Sequence, residues 1–110
     1  MIEIVEYLDA SGASPFASWF DGLDRHAAVK VTIALSRMGQ GNLSNAKSLG
    51  SGLLEYRIDF GPGYRIYFGR KGDRLVILLA GGTKQRQNSD IERARARWDD
   101  YQKRLDHGPH

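Results

Sequence analysis

The sequence contains no cysteine among its 110 residues. Disulfides and thiolate zinc sites are therefore excluded, and the fold has to be stabilised by the packing of apolar side chains. Histidine is also scarce: His26 stands alone near a predicted helix start, and the other two lie within the last four residues. Since no histidine pair has the spacing of metal ligands, we expect no metal and no other cofactor.

Long apolar runs are missing as well. No stretch approaches the length of a membrane span, and the N-terminal segment MIEIVEYLDA lacks the basic region and apolar run of a signal peptide. Neither a Walker loop nor a Ser-His-Asp arrangement is evident, and the glycines at 61–63 and 81–82 are expected to form turns. These absences predict a cytoplasmic protein with no membrane partner.

The composition is that of a small globular protein, with 41% hydrophobic and 26% charged residues. We expect a single domain over residues 1–105 and a flexible tail over residues 106–110. The net charge of +3 is compatible with a polyanionic partner but does not require one.

Residues 52–68 are expected to form an antiparallel hairpin around which the chain is organised. In its first half, apolar residues alternate with Glu55, Arg57 and Asp59, which predicts a strand with one buried and one polar face. Residues 61–63, Gly-Pro-Gly, would form the loop.

With a three-residue loop, Asp59 would face Arg65 and Arg57 would face Tyr67, because side chains alternate with period two. Arginines, carboxylates and a tyrosine would then share one face of the sheet. That face is either a solvated outer surface with an Asp59–Arg65 pair or a functional site, and the pattern alone leaves both possibilities open.

Periodicity and capping residues predict the other elements. Phe16, Trp19 and Phe20 recur at helical spacing and are expected in the core rather than as a surface for stacking bases. In chain order, the elements are a strand near residues 2–7, a helix capped by Ser14, a helix capped by Asp24, a short extended piece at 47–49, a buried strand at 74–80 and a helix opened by a capping box at Ser89 and Glu92.

The segments GLLEYRIDFGPGYRIYF (52–68) and LVILLAGGTKQRQNSDIERA (75–94) resemble the RelE/ParE superfamily of toxins from bacterial toxin-antitoxin modules, specifically its HigB-like branch. The resemblance extends over residues 1 to about 104. It implies an α+β, RelE-like fold in which two N-terminal helices pack on a small antiparallel sheet, followed by a C-terminal helix.

The resemblance further implies a metal-independent, ribosome-dependent endoribonuclease that cleaves mRNA and inhibits translation. Its proposed catalytic residues are Arg57, Arg65 and Lys84, and its proposed RNA-binding residues are Lys47, Tyr67, Arg86 and Gln87. Glu55 or Asp59 would transfer protons or serve as a structural ion-pair partner. Asp59 stands where some ribosome-dependent relatives carry a lysine.

The implied partners are the ribosome, mRNA and a cognate antitoxin, which we expect to be a helix-turn-helix protein. Operator DNA would be bound only through that antitoxin. Two alternatives remain open at this stage: a ParE-like DNA gyrase inhibitor, and an inactive toxin that acts only as a transcriptional corepressor with its antitoxin.

Overall fold

The computed structural model describes residues 1–107 and has the α+β fold that the sequence predicts. A five-stranded sheet has the order β1-β5-β4-β3-β2. The strands are β1 (Glu3–Glu6), β2 (Ala46–Gly50), β3 (Leu53–Ile58), β4 (Tyr64–Lys71) and β5 (Leu75–Thr83); the helices are α1 (Pro15–Asp21), α2 (Arg25–Gly39) and α3 (Gln87–His107), with a short 3₁₀ turn at Lys84–Arg86.

The sheet is mixed rather than antiparallel throughout. β1 pairs parallel with β5, and the three remaining strand pairs are antiparallel. The side chain of Tyr7, just after β1, donates a 2.6 Å hydrogen bond to Asp100 on α3. The N-terminal strand is therefore fastened to two elements from the end of the chain.

The first two helices begin where the capping residues predict. The Ser14 hydroxyl accepts a hydrogen bond from the Ala17 amide, and the Asp24 carboxylate accepts one from the Ala27 amide. Both bonds satisfy amides that a helix leaves without partners in its first turn. The aromatic stripe of α1 belongs to the core, as expected, with Phe16 buried.

The sheet lies between two helical layers. α1 and α2 cover one face over a core that includes Val31, Met38 and Phe68. α3 covers the other face, where Trp98 packs against a second core that includes Leu79. Both faces of the central strands are consequently buried, which is why residues 74–80 are almost continuously apolar.

The hairpin has a longer loop than predicted. Ile58 pairs with Tyr64, so the connection has five residues, and Arg57 lies opposite Arg65. A turn closed by the 2.9 Å bond from the Gly63 amide to the Phe60 carbonyl removes Phe60 from the ladder. The predicted pairing of Asp59 with Arg65 is therefore wrong. Because the register differs by two positions, each side chain keeps the face it was assigned.

Gly81 and Gly82 belong to β5 and do not form the predicted turn. A side chain at Gly81 would overlap the indole ring of Trp19, and one at Gly82 would overlap the Asp90 carboxylate. These glycines are required because helices on opposite faces of the sheet approach the strand backbone closely.

α3 begins at Gln87, directly after the 3₁₀ turn, so the capping box predicted at Ser89 and Glu92 is wrong. The Ser89 hydroxyl instead donates to the Arg86 carbonyl within the first turn. At its other end α3 continues to His107, two residues into the predicted tail. Residues 108–110 lie outside the described part of the chain, where the tail remains a prediction.

Candidate functional site

A buried carboxylate organises the polar cluster under the start of α3. Glu55 is fully buried in β3, on the face that α3 covers. Its Oε1 lies 3.2 Å from the Arg57 Nε and 3.5 Å from the Arg65 Nε. Its Oε2 accepts a 2.7 Å hydrogen bond from the Gln87 side-chain amide. A buried charge needs such partners, and here two arginines and an amide supply them.

The same carboxylate explains how two arginines can sit opposite each other in the ladder. Arg57 and Arg65 are directly paired on β3 and β4. Like charges at such a position repel each other unless a counterion intervenes. Glu55 neutralises part of that charge, which leaves a net positive site.

The two arginines differ in their access to solvent. The Arg57 side chain is 45% exposed, whereas that of Arg65 is 7% exposed. Arg65 also donates from Nη1 to the carbonyl of Tyr64. Arg57 is thus the arginine that a ligand can reach, while Arg65 lies buried beneath the surface beside Glu55.

Lys84 lies close to Arg65, as the sequence predicts. Its backbone amide donates a 2.9 Å hydrogen bond to the Gly63 carbonyl, which joins the 3₁₀ turn to the hairpin loop. Gly63 in turn borders the guanidinium of Arg65. The Lys84 and Arg86 side chains are exposed on this turn, so both are available to a ligand.

Two predicted site residues, Lys47 and Asp59, lie at the β2–β3 edge of the sheet, where Lys47 is the ladder partner of Glu55. Both are exposed and line a groove of about 490 Å³ between α2 and the β2–β3 edge of the sheet, which Arg57 also lines. Asp59 follows β3 and takes no part in the ladder. Of the two candidate proton-transfer residues, Asp59 is therefore the accessible one, while Glu55 has the ion-pair role.

Tyr67 cannot stack on a base in this structure, contrary to the prediction. It is fully buried under α3, and its hydroxyl has no hydrogen-bond partner among the described residues. Burial raises the pKa of this hydroxyl, and the negative charge of Glu55 adds to the effect. Gln87 was likewise predicted to bind RNA, but its side-chain amide is used to hold Glu55.

Asp90 is a buried acid that the sequence analysis did not single out. It packs on Gly82, Arg93 Nη1 lies 3.6 Å from its Oδ1, and its Oδ2 has no hydrogen-bond partner within residues 1–107. Burial raises its pKa against the lowering effect of Arg86 and Arg93. The signal in the sequence that could have pointed to it is Gly82, whose missing side chain leaves room for the carboxylate.

Within the described residues, no group of three or more histidine, cysteine or acidic side chains could hold a metal ion. No described helix combines the length and apolar character needed to cross a membrane. The site thus consists of cations arranged around one buried carboxylate.

Residues 18–99 match the family described as "Phage derived protein Gp49-like (DUF891)". The chain belongs to the Gp49-like family. This family comprises RelE-like toxins associated with toxin-antitoxin modules, which supports a toxin role and a cognate antitoxin as partner. The chain is also similar to an uncharacterized protein of Haemophilus influenzae, with 41% identity over 81 residues, 73% of this chain and 82% of that protein.

The family match covers β2 to β5 completely, together with α2 and most of α3. It therefore includes every residue of the cluster around Glu55.

Proposed function

We propose that this Gp49-like toxin is an endoribonuclease of the HigB-like kind, which cleaves mRNA on the ribosome and so inhibits translation. The observation that carries the proposal is that Arg57 and Arg65 share the buried Glu55, while Lys84 lies beside Arg65 at the hairpin loop. A helix-turn-helix antitoxin would neutralise the toxin, and operator DNA would be bound only through it.

The chemistry of RNA cleavage uses such a site. The ribose 2′-hydroxyl loses its proton and attacks the adjacent phosphate, and negative charge grows on the phosphoryl oxygens. The bond to the 5′-oxygen then breaks, and this departing oxygen takes up a proton from solvent. The exposed guanidinium of Arg57 would bind those oxygens in bidentate fashion, with Lys84 as a second positive charge. Arg65 would stabilise the transition state from the floor of the site.

Other residues would hold the RNA or the catalytic groups. Arg86 and Lys47 are both exposed and would contact backbone phosphates. Glu55 and Gln87 act as positioning residues, since they orient Arg57 without contacting the RNA. Asp59 is the accessible carboxylate that would accept the 2′-hydroxyl proton.

The test is primer extension on a defined mRNA, with purified toxin, in the presence and absence of programmed ribosomes. Wild-type toxin should cut only with ribosomes, and Arg57→Ala should lower the cleavage rate by about 100-fold or more, as expected for the loss of one preorganised charged donor. Arg74→Ala is the matched control, because Arg74 is 89% exposed at the opposite end of the sheet. An Arg57→Ala toxin of unchanged rate would contradict the assignment.

The alternative is a ParE-like inhibitor of DNA gyrase. Two groups expected to contact or act on RNA, Glu55 and Tyr67, are buried, which favours a toxin that binds its target without cleaving it. Growth arrest without mRNA cleavage, together with inhibited supercoiling by purified gyrase, would establish this alternative. Repression of the operon without growth arrest would indicate an inactive toxin that serves only as a corepressor.

A further inference from the structure

Three arginines surround the buried carboxyl of Asp90 on the side of α3 that lies over β5. Asp90, Arg93 and Arg97 are three and four residues apart in turn, so they share one side of the helix. Arg93 Nη1 lies 3.6 Å from Asp90 Oδ1. Burial raises the pKa of this carboxyl, while the positive charges of Arg86, Arg93 and Arg97 oppose the rise, so all three guanidinium groups are near it. Three cations therefore meet one acid.

Arg97 carries a positive charge that no acid within residues 1–107 pairs with. Its side chain is half-buried, and its Nη1 donates a 3.2 Å hydrogen bond to the Leu79 carbonyl. That bond satisfies a strand carbonyl, but a carbonyl does not neutralise a guanidinium. Burial lowers the pKa of this group, as expected for a charge that is partly removed from water. Such a charge is costly unless a counterion accompanies it.

Asp90 compensates the arginines only in part. Its side chain packs on Gly82, and its Oδ2 is buried without a hydrogen-bond partner in the described part of the chain. Burial favours the neutral form of such a carboxyl. Arg93 is 54% exposed and Arg86 is also exposed, so the cluster can be reached from solvent. An accessible cluster with excess positive charge fits an anion.

We propose that this cluster binds a terminal phosphate group, with Arg93 and Arg97 as its main ligands. Guanidinium groups hold phosphate oxygens through paired hydrogen bonds, and a dianion neutralises the charge that Asp90 leaves uncompensated. Free nucleotides and the 5′ ends of RNA both carry such a group.

The cluster is separate from the proposed cleavage site. Arg97 is bound to β5, whereas Arg57 and Glu55 lie on β3, and β4 separates these two strands. The inference therefore goes beyond the proposed function, and its test does not depend on RNA cleavage.

Isothermal titration calorimetry with inorganic pyrophosphate provides the test. Arg97→Gln and Arg93→Gln should each weaken binding at least about tenfold, as expected for the loss of charge-assisted hydrogen bonds. Arg95→Gln is the matched control and should leave the affinity unchanged. Arg95 is two residues from either ligand and so points away from both, yet it likewise donates a 3.2 Å hydrogen bond to a strand carbonyl, that of Leu49. Circular dichroism melting verifies that each variant is folded.

Asp90 provides a test in the opposite direction. Asp90→Asn removes a negative charge from the cluster and keeps the shape of the side chain. At neutral pH it should tighten pyrophosphate binding by about fivefold, the effect of a unit charge about 4 Å away in water. Weaker binding by this variant would mean that Asp90 only supports the helix, and would contradict the proposed site.

Competition distinguishes the two sources of the phosphate. Displacement of pyrophosphate by a short RNA with a 5′-phosphate, but not by the same RNA with a 5′-hydroxyl, assigns the site to RNA ends. Displacement by ATP and by neither RNA assigns it to free nucleotides. Equal displacement by the two RNAs would mean that the arginines bind backbone phosphates, and the proposal of a terminal phosphate would fail.

Three further results would overturn the proposal. Wild-type protein that does not bind pyrophosphate has no such site. An equal loss of affinity in Arg95→Gln and Arg97→Gln would show a general attraction to a basic protein. Displacement by none of the three competitors would reduce the site to an adventitious ion. Ribosome-dependent cleavage, measured separately, reports on the proposed function alone.

Discussion

The ion-pair cluster around Glu55 can be tested by removing its single negative charge. Glu55→Gln keeps the shape of the side chain but leaves the largely buried Arg65 without a counterion. Breaking a buried pair from one side costs roughly 3 to 5 kcal/mol, because the remaining charge stays desolvated. We therefore expect the free energy of unfolding to fall by about 3 kcal/mol.

For a domain of this size, that loss corresponds to a Tm lower by about 12 °C, at roughly 4 °C for each kcal/mol. Urea denaturation followed by circular dichroism measures the same loss as a shift in midpoint at constant slope. Asp73→Asn is the control, since Asp73 is 88% exposed and its pair with Arg74 spans 4.0 Å. Its effect should remain within about 0.5 kcal/mol.

A second variant separates stability from function. Glu55→Leu combined with Arg65→Met replaces the ion pair by apolar side chains of similar volume, which is often neutral or stabilising. This double variant should regain most of the lost stability while mRNA cleavage remains low. If Glu55→Gln alone costs less than about 1 kcal/mol, the cluster does not hold a desolvated charge and the reasoning fails.

Three further outcomes are expected. Tyr67→Phe removes a buried hydroxyl that lacks a hydrogen-bond partner among the described residues. It should therefore raise the free energy of unfolding by about 1 kcal/mol, measured by urea denaturation. A lower free energy of unfolding would mean that the hydroxyl is hydrogen-bonded. Gly81→Ala would drive a methyl group into the Trp19 ring and should destabilise by roughly 1 to 3 kcal/mol, seen as a lower Tm and altered tryptophan fluorescence. Burial raises the pKa of Asp90 in the folded state, so the native protein holds this proton more tightly than the unfolded chain does. The contribution of Asp90 to stability therefore falls as the pH rises from the unfolded pKa through the folded one. Asp90→Asn should therefore gain stability relative to wild type as the pH is raised through that window, and a constant difference between pH 3 and pH 7 would contradict the burial effect.

Local chemistry was sufficient to predict the helices on the N-terminal side. Ser14 and Asp24 act as helix N-caps, so each predicts that a helix follows it. The aromatic side chains of α1 lie on one face of the helix, which predicts that this face packs against the sheet. The alternation in β3 likewise assigned each side chain to the correct face, because strand periodicity does not depend on the loop.

The sequence pattern could not predict the register of the β3–β4 hairpin or the burial of its polar face. A Gly-Pro-Gly sequence fits loops of different lengths, and a shift of two residues leaves the pattern of faces unchanged. The burial of Glu55 depends on α3, which returns from a distant part of the sequence and covers it. Alternation reveals which side chains share a face but not what covers that face.

Likewise, Gly81 and Gly82 carry the usual signal of a turn. Their true role follows from Trp19, which is far away in sequence, and from Asp90 on the next helix, because both side chains meet the strand only in the folded protein. Glycines required by close packing and glycines required by turns cannot be distinguished from one sequence.

The pairing of β1 with a strand from late in the sequence also determines when folding can be completed during synthesis. β1 is made first, yet its strand partner begins at Leu75 and the hydrogen-bond partner of Tyr7 is Asp100. Contacts between residues so distant in sequence form late, because a long loop must close first. A nascent chain must therefore expose its first strand until almost the whole protein has left the ribosome.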